Sequence, residues 1–138
     1  MKKLKIYTDG GARGNPGPAA IGIVVQDEKG QILFQQGKAI GWATNNQAEY
    51  QALIRALTWA KNQPIQPEII DCYLDSQLVV AQMQGRYRIK SDSIKKLWQQ
   101  AKQLEQTLSP TKINYHLIPR RLNQKADQLL NQALDLLK

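Results

Sequence analysis

The chain has 138 residues, 42% hydrophobic and 22% charged, a composition typical of a folded globular domain and unlike that of a disordered or fibrous protein. Its single cysteine excludes a disulfide framework and a cysteine-rich zinc site. The net charge of +8 favours a polyanionic partner such as nucleic acid, although a generally basic surface would give the same sum. No apolar run or signal peptide points to a membrane. We therefore expect a soluble, cytoplasmic protein with one domain over residues 1–138.

The first half of the chain predicts three strands and a helix. Residues 4–8, 20–26 and 31–42 have strand patterns, and a turn at 27–30 joins the last two as a hairpin. The glycine- and proline-rich stretch 10–18 is expected to be a loop. From Asn46 the apolar spacing becomes helical and ends before Pro64.

The second half alternates helices with strands. A strand, two helices, a strand and a final helix are predicted over residues 69–74, 76–84, 94–104, 113–118 and 126–137. The order βββαβααβα predicts an α/β fold, with a mixed five-stranded sheet and helices on both faces.

Four carboxylates lie at strand ends or on or beside apolar helix faces, where a charged side chain needs an explanation. Asp9 and Asp75 each follow a predicted strand, and open α/β sheets gather chemistry where strands end. Glu49 lies on the apolar face of its helix, and Asp127 borders the apolar stripe of the last helix in the same way. Clustered carboxylates without a His or Cys ligand set suit a hard cation, Mg²⁺ or Mn²⁺. Two structural alternatives stay open: Asp75 would also serve as the cap of the following helix, and Glu49 would lie in the first turn of its helix, where the helix dipole favours an acid.

The glycine-rich stretch does not fit the common nucleotide-binding loops. It lacks the Gly-Lys-Ser/Thr of a P-loop, and a strand follows it where a dinucleotide fingerprint requires a helix. Its backbone N–H groups remain candidates for contact with a phosphodiester backbone.

Five short segments together resemble the type 1 ribonuclease H family: residues 7–11 (YTDGG), 14–18 (GNPGP), 44–49 (TNNQAE), 75–77 (DSQ) and 123–127 (NQKAD). The resemblance extends over essentially the whole chain, and the predicted order of elements agrees with that fold, with one helix fewer than in its longer members.

The resemblance implies endonucleolytic hydrolysis of the RNA strand of an RNA–DNA hybrid, giving 5′-phosphate and 3′-hydroxyl ends. Asp9, Glu49, Asp75 and Asp127 match the family's four catalytic, metal-binding acidic positions. The family site holds two Mg²⁺ ions, for which Mn²⁺ is a possible substitute. Two such ions would activate water and stabilise the leaving 3′ oxygen.

The resemblance also implies contacts in the minor groove, where 2′-hydroxyls distinguish RNA from DNA. For Asn45 and Asn46 the alternative is helix capping, and Thr44 with Gln47 has the spacing of a capping box, so the two roles can coexist. The expected substrate-binding residues are Gly10, Gly11, Asn15, Thr44, Asn45, Asn46, Gln77, Arg120 and Arg121.

The chain departs from the family pattern in two places. The loop histidine of many members is missing, and His116 reads instead as a histidine satisfied within a strand, so Arg120 or Arg121 is expected to act near the scissile phosphate. The basic protrusion is also missing, and only the basic segment 85–90 stands in its place. We therefore expect weaker and more salt-sensitive hybrid binding than in members with the protrusion.

Three other functions remain open at this point. The chain could be a non-cleaving module that binds hybrid or structured RNA, another polynucleotidyl transferase such as an integrase or resolvase, or a domain of a reverse transcriptase. All four acidic positions are present, which favours the nuclease. The expected partner is an RNA–DNA hybrid, with double-stranded RNA as a second candidate, and the expected state is a monomer.

Overall fold

The computed structural model describes residues 2–137. The chain forms, in order, β1 (Lys3–Ala12), β2 (Gly17–Asp27), β3 (Ile32–Ala43), α1 (Asn45–Lys61), β4 (Ile69–Leu74), α2 (Gln77–Met83), α3 (Asp92–Leu108), β5 (Lys112–Leu117) and α4 (Gln124–Asp135). A single 3₁₀ turn, Arg120–Leu122, lies between β5 and α4. The element order predicted from the sequence is confirmed. No helix within residues 2–137 has the length and hydropathy needed to cross a membrane.

The five strands form one mixed sheet in the order β3-β2-β1-β4-β5. The first three strands pair antiparallel, whereas β4 runs parallel to both β1 and β5. The main core lies between the sheet and helices α1, α2 and α3, with Ile6, Leu53 and Val80 among its buried side chains. On the opposite face, α4 packs Leu130 and Leu134 against Ala20 of β2. The predicted α/β fold, a mixed five-stranded sheet with helices on both faces, is therefore confirmed.

The glycine-rich stretch differs from its predicted form. The loop expected over residues 10–18 is limited to residues 13–16, because β1 continues to Ala12 and β2 begins at Gly17. Gly10, Gly11 and Ala12 pair with residues 21, 20 and 19 of β2. Glycines have low strand propensity, but pairing and packing against the helices override it here. Asp9 consequently lies inside β1, not after its end.

Candidate active site

Three of the four carboxylates meet at one point of the sheet. Asp9, Glu49 and Asp75 each place one carboxylate oxygen so that all three atoms lie within 4.8 Å of one another. The parallel ladder between β1 and β4 ends with Tyr7 opposite Tyr73, so Asp9 and Asp75 follow this pair at equal distances along the two chains. Parallel pairing therefore brings two acids that are distant in sequence to the same edge.

Gly10 brings the third carboxylate to the first. A Cβ at position 10 would overlap the backbone of Ala48, so glycine lets α1 cross β1 in direct contact. The Gly10 N–H lies 3.0 Å from Asp9 Oδ1 and 3.3 Å from Glu49 Oε1 and donates to both. Gly10, expected to contact substrate, therefore directs its N–H to the carboxylates within the chain.

Asp127 occupies the rim of the same cavity, which has a volume of about 440 Å³. A Cβ at Gly22 would overlap the backbone of Ala126, so glycine at this position lets the start of α4 lie directly on β2. Asp127 borders the apolar stripe of α4 from the first turn of that helix, as predicted. Its side chain is exposed, in contrast to the buried side chain of Glu49.

Burial leaves the central carboxylates poorly compensated. Asp9 and Glu49 are each only 6% exposed. Burial, with the nearby charges of Asp75 and Asp127, raises the pKa of Asp9 to about 7. Burial and the charge of Asp9 likewise raise the pKa of Glu49 well above its usual value.

The donor set fits a divalent cation. Among the described residues, no Lys, Arg or His forms an ion pair with Asp9, Glu49 or Asp75. Glu49 Oε2 is buried with no hydrogen-bond partner. A buried carboxylate oxygen without a partner is costly, and a hard cation bound by oxygen ligands would relieve that cost.

The two structural alternatives for these acids do not hold. Ser76, not Asp75, is the N-cap of α2, and its hydroxyl accepts a hydrogen bond from the Val79 N–H at 3.2 Å. Glu49 lies beyond the first turn of α1, which contains no acidic residue. Helix stabilisation therefore explains neither carboxylate.

The predicted groove residues form a network beside the carboxylates. Asn45 Oδ1 accepts from the Ala12 N–H at 2.8 Å, and Asn15 Oδ1 accepts from the Asn45 N–H at 2.9 Å. The capping box between Thr44 and Gln47 is present in both directions. Since these bonds use the amide oxygens of Asn15 and Asn45, the amide N–H groups of both remain available as donors to a ligand.

Gln77 lies outside the cavity, at the basic segment 85–90. Its Nε2 donates to the Tyr87 hydroxyl at 3.3 Å. Arg86, Arg88 and Lys90 of that segment are all exposed. The structure thus links one predicted groove residue to the segment that stands where longer members carry their protrusion.

Arg120, Arg121 and His116 lie in different surroundings in the structure. Arg120 lines the carboxylate cavity together with Asn46 and Gly11, whereas Arg121 is not part of its lining. His116 lies on β5, with Nε2 2.8 Å from Asp71 Oδ1 and its ring stacked on Tyr73. His116 is therefore a strand histidine with local partners, as expected.

Sequence reasoning assigned no role to Asn123. Its side chain is 1% exposed and its Nδ2 donates to the Thr8 carbonyl at 2.8 Å and to Asp75 Oδ2 at 3.1 Å. A polar residue at a helix start normally reads as a cap, so the pattern gives no separate signal for this contact. Arg13, which also lines the cavity, was missed as well; it pairs with Asp135 at 2.7 Å.

Comparison with known proteins defines the class to which this fold and site belong. Residues 7–133 match the sequence model of the reverse transcriptase-like family. The chain is 42% identical over 134 residues to the bifunctional protein Rv2228c of Mycobacterium tuberculosis, covering 96% of this chain but only 36% of that protein. The chain thus spans about a third of that relative's length.

Two further proteins narrow the class. Ribonuclease HI of Halobacterium salinarum is 40% identical over 133 residues, covering 96% of this chain and 65% of that protein, and its crystal structure superposes with a TM-score of 0.89. LC11-RNase H1, isolated from compost by a metagenomic approach, was crystallised with an RNA/DNA hybrid; it is 42% identical, with 96% of each chain covered and a TM-score of 0.91. The chain belongs to the reverse transcriptase-like family and, within it, to the type 1 ribonucleases H.

Proposed function

We propose that this protein is an endoribonuclease that hydrolyses the RNA strand of RNA–DNA hybrids, with residues 1–138 forming one catalytic domain. The observation that carries the proposal is the meeting of Asp9, Glu49 and Asp75 within 4.8 Å, with Asp9 and Glu49 buried and no cationic partner for any of the three among the described residues. Structural similarity to LC11-RNase H1, crystallised with a hybrid, supports the choice of substrate.

In this proposal Asp9, Glu49, Asp75 and Asp127 would hold two Mg²⁺ ions, for which Mn²⁺ would be a possible substitute. When bound, such ions would supply a nucleophilic water at neutral pH and stabilise charge on the leaving oxygen. The products would carry 5′-phosphate and 3′-hydroxyl ends. Asp9, at the centre of the cluster, is expected to be the most sensitive ligand.

Other residues of the chain would bind and orient the hybrid. Asn15 and Asn45 would direct amide N–H donors at the acceptor-rich minor groove, alongside Thr44 and Asn46. Gly10 and Gly11, which line the cavity, would let the hybrid approach the carboxylates closely. Gln77 would extend these contacts toward the basic segment 85–90. Arg120 at the cavity wall would hold the scissile phosphate, and Arg121 would contact the phosphate backbone outside the cavity.

The surroundings of the reaction complete the proposal. The net charge of +8 supports binding to a polyanion, and double-stranded RNA is a second candidate substrate. We propose a monomer that acts in the cytoplasm, in keeping with a single buried cysteine that has no disulfide partner.

Cleavage of an end-labelled RNA strand annealed to DNA tests this proposal, first with Mg²⁺ and then with Mn²⁺. Single-stranded RNA, double-stranded RNA and double-stranded DNA run in parallel. Asp92→Asn, which changes an exposed acid at the start of α3, is the matched control for Asp9→Asn. We expect hybrid-selective cleavage that survives Asp92→Asn and disappears in Asp9→Asn. Hybrid binding without cleavage in either metal would instead indicate a non-cleaving module.

A further inference from the structure

Asn123 lies buried at the start of α4, but its side chain makes no hydrogen bond to that helix. It occupies the N-cap position and is 1% exposed, yet its side chain makes no capping hydrogen bond. An asparagine at this position normally accepts from an N–H of the first turn. Here the side chain turns into the sheet instead, so the needs of α4 do not explain the residue.

The amide of Asn123 bridges two strands where their own hydrogen bonds stop. The last pair of the β1–β4 ladder is Tyr7 opposite Tyr73. One residue further on, the Thr8 carbonyl accepts from Asn123 Nδ2 at 2.8 Å, and the same nitrogen donates to Asp75 Oδ2 at 3.1 Å. Because both partners are acceptors, only the nitrogen can occupy this place, which settles the orientation of the amide.

Within residues 2–137, Asn123 makes the one described hydrogen bond to the side chain of Asp75. Asp9 and Glu49 share the backbone N–H of Gly10, but no backbone N–H in the described part of the chain donates to the Asp75 side chain. Asp75 is half-buried and follows the end of β4. Without the amide, nothing described in the structure would fix the rotamer of its carboxylate.

The arrangement has a cost for the fold. Asn123 Oδ1 is buried without a hydrogen-bond partner. A buried acceptor without a donor destabilises the protein, and an apolar side chain would avoid that loss. The two hydrogen bonds that Asn123 Nδ2 donates are therefore what an apolar residue at this position could not supply.

We propose that Asn123 is a positioning residue that fixes the Asp75 carboxylate for binding a divalent cation. The inference rests on the proposed function, because it assumes that Asp75 is a metal ligand. Hydrogen-bond partners of metal ligands typically change metal affinity or activity by about 10–100-fold when they are removed. The residue acts through Asp75 and does not touch the substrate.

Two substitutions separate positioning from helix capping. Asn123→Ser introduces a residue preferred at an N-cap but too short to bridge Thr8 and Asp75, whereas the alanine of Asn123→Ala offers neither a cap nor a bridge. Ser91→Ala deletes the cap of α3, a helix that does not line the cavity, and serves as the control for a plain loss of stability. For each variant the Mn²⁺ dissociation constant is measured without substrate, from the electron paramagnetic resonance signal of free Mn²⁺, alongside the melting temperature in metal-free buffer.

We expect the Mn²⁺ dissociation constant to rise about tenfold or more in both Asn123 variants, by similar factors. Their melting temperatures should differ, with the Ser variant the more stable, and Ser91→Ala should lower the melting temperature without changing Mn²⁺ affinity. Wild-type affinity in the Ser variant would overturn the proposal. So would an affinity that follows melting temperature across all three variants, or loss of cooperative folding in both Asn123 variants, since Asn123 would then serve the fold.

The same measurements distinguish this inference from the proposed function. If the wild-type protein binds Mn²⁺ more tightly than the Asn123 variants but cleaves no hybrid, the positioning role holds and the nuclease assignment is wrong. If the wild-type protein cleaves hybrid and the Asn123 variants bind Mn²⁺ as tightly as it does, the nuclease assignment holds and the positioning role is wrong.

Discussion

Asp71 and Asp9 are buried to almost the same degree, on adjacent strands of one sheet, yet their carboxyl groups have opposite electrostatics. Asp71 is 5% exposed and Asp9 6%. Burial disfavours the charge of Asp71, but hydrogen bonds from His116, Asn114 and Lys3 outweigh it and lower its pKa. Asp9 lies beside the carboxylates of Glu49 and Asp75, with Asp127 nearby, and no Lys, Arg or His among the described residues pairs with it; its pKa is raised to about 7.

The difference shows that hydrogen-bond donors and a lysine compensate the charge of buried Asp71, whereas the carboxylates of the cavity lack such partners among the described residues. Lys3 lies 3.2 Å from Asp71, and β5 supplies Asn114 and His116. Among residues 2–137 no comparable set of donors contacts Asp9 and Glu49, which share the Gly10 N–H as their hydrogen-bond donor. Burial alone therefore does not mark a functional acid; burial without compensation does.

The largest expected effect contrasts Asp9→Asn with Asp71→Asn in hybrid cleavage. Asp9→Asn should lower the rate at least a hundredfold, corresponding to about 2.7 kcal/mol of transition-state stabilisation, because it removes the central ligand. Asp71→Asn should stay within about threefold of wild type. Single-turnover cleavage at saturating Mg²⁺ measures both. If Asp9→Asn kept more than about a tenth of the rate, its assignment as a ligand would be wrong.

The next largest effect is a difference in kcat between Arg120→Ala and Arg121→Ala. Arg120 lines the cavity and Arg121 does not, so we expect about a tenfold loss of kcat for the first and less than threefold for the second. Both variants lose one positive charge, which makes each the control for the other. Steady-state cleavage at two salt concentrations gives kcat and KM, and equal losses for the two variants would contradict a specific role for Arg120.

In the metal-free protein, Asp9→Asn and Asp71→Asn should change the free energy of unfolding in opposite directions. A raised pKa in the folded state gives stability that is complete below the usual value of 3.8 and is lost as the pH rises through about 7. Asp9→Asn should therefore raise the free energy of unfolding at pH 8 by about 1–3 kcal/mol. Urea unfolding in the presence of a chelator measures this change, and destabilisation by Asp9→Asn would refute it.

Asp71 should behave in the reverse way. Its pKa is lowered in the folded state, so its contribution is present above the usual value of 3.8 and is lost as the pH falls toward the folded-state pKa. Asp71→Asn should cost about 1–2 kcal/mol at pH 7 and much less near pH 3. Urea unfolding at the two pH values provides the test; an equal cost at both would show that ionisation of Asp71 is irrelevant.

The smallest expected effect on catalysis is that of His116→Gln. His116 contacts Asp71 and Tyr73 and does not line the carboxylate cavity. Cleavage rates should stay within about twofold of wild type between pH 6 and pH 9. A loss of more than tenfold would place the histidine in the reaction and contradict its assignment as a strand residue.

Much of the fold follows from local pattern. β4 has the bounds predicted from its apolar run, and the helical spacing after Asn46 predicts α1. The extension of β1 through Gly10 to Ala12 could not be predicted, because pairing with β2 and contact with α1 stabilise it while the glycines themselves oppose it.

The site was predictable as a set of residue types but not as a geometry. The carboxylates stood out because an acid on an apolar face needs an explanation, yet sequence could not tell that Asp127 is exposed while Glu49 is buried. Nor could it separate Arg120 from Arg121, since a single 3₁₀ turn directs neighbouring side chains to different sides. Asn123 was hidden because a helix start offers a simpler reason for asparagine.

The most direct test of the central claim, that the cavity carboxylates form an uncompensated cation site, is calorimetric titration of metal-free protein with Mn²⁺ at pH 7. Running it in two buffers of different ionisation enthalpy counts the protons released. Because Asp9 and Glu49 have raised pKa values, we expect Mn²⁺ binding to release about one proton or more per protein, with the release reduced in Asp9→Asn. Absence of binding, or binding with no proton release in either protein, would contradict the account.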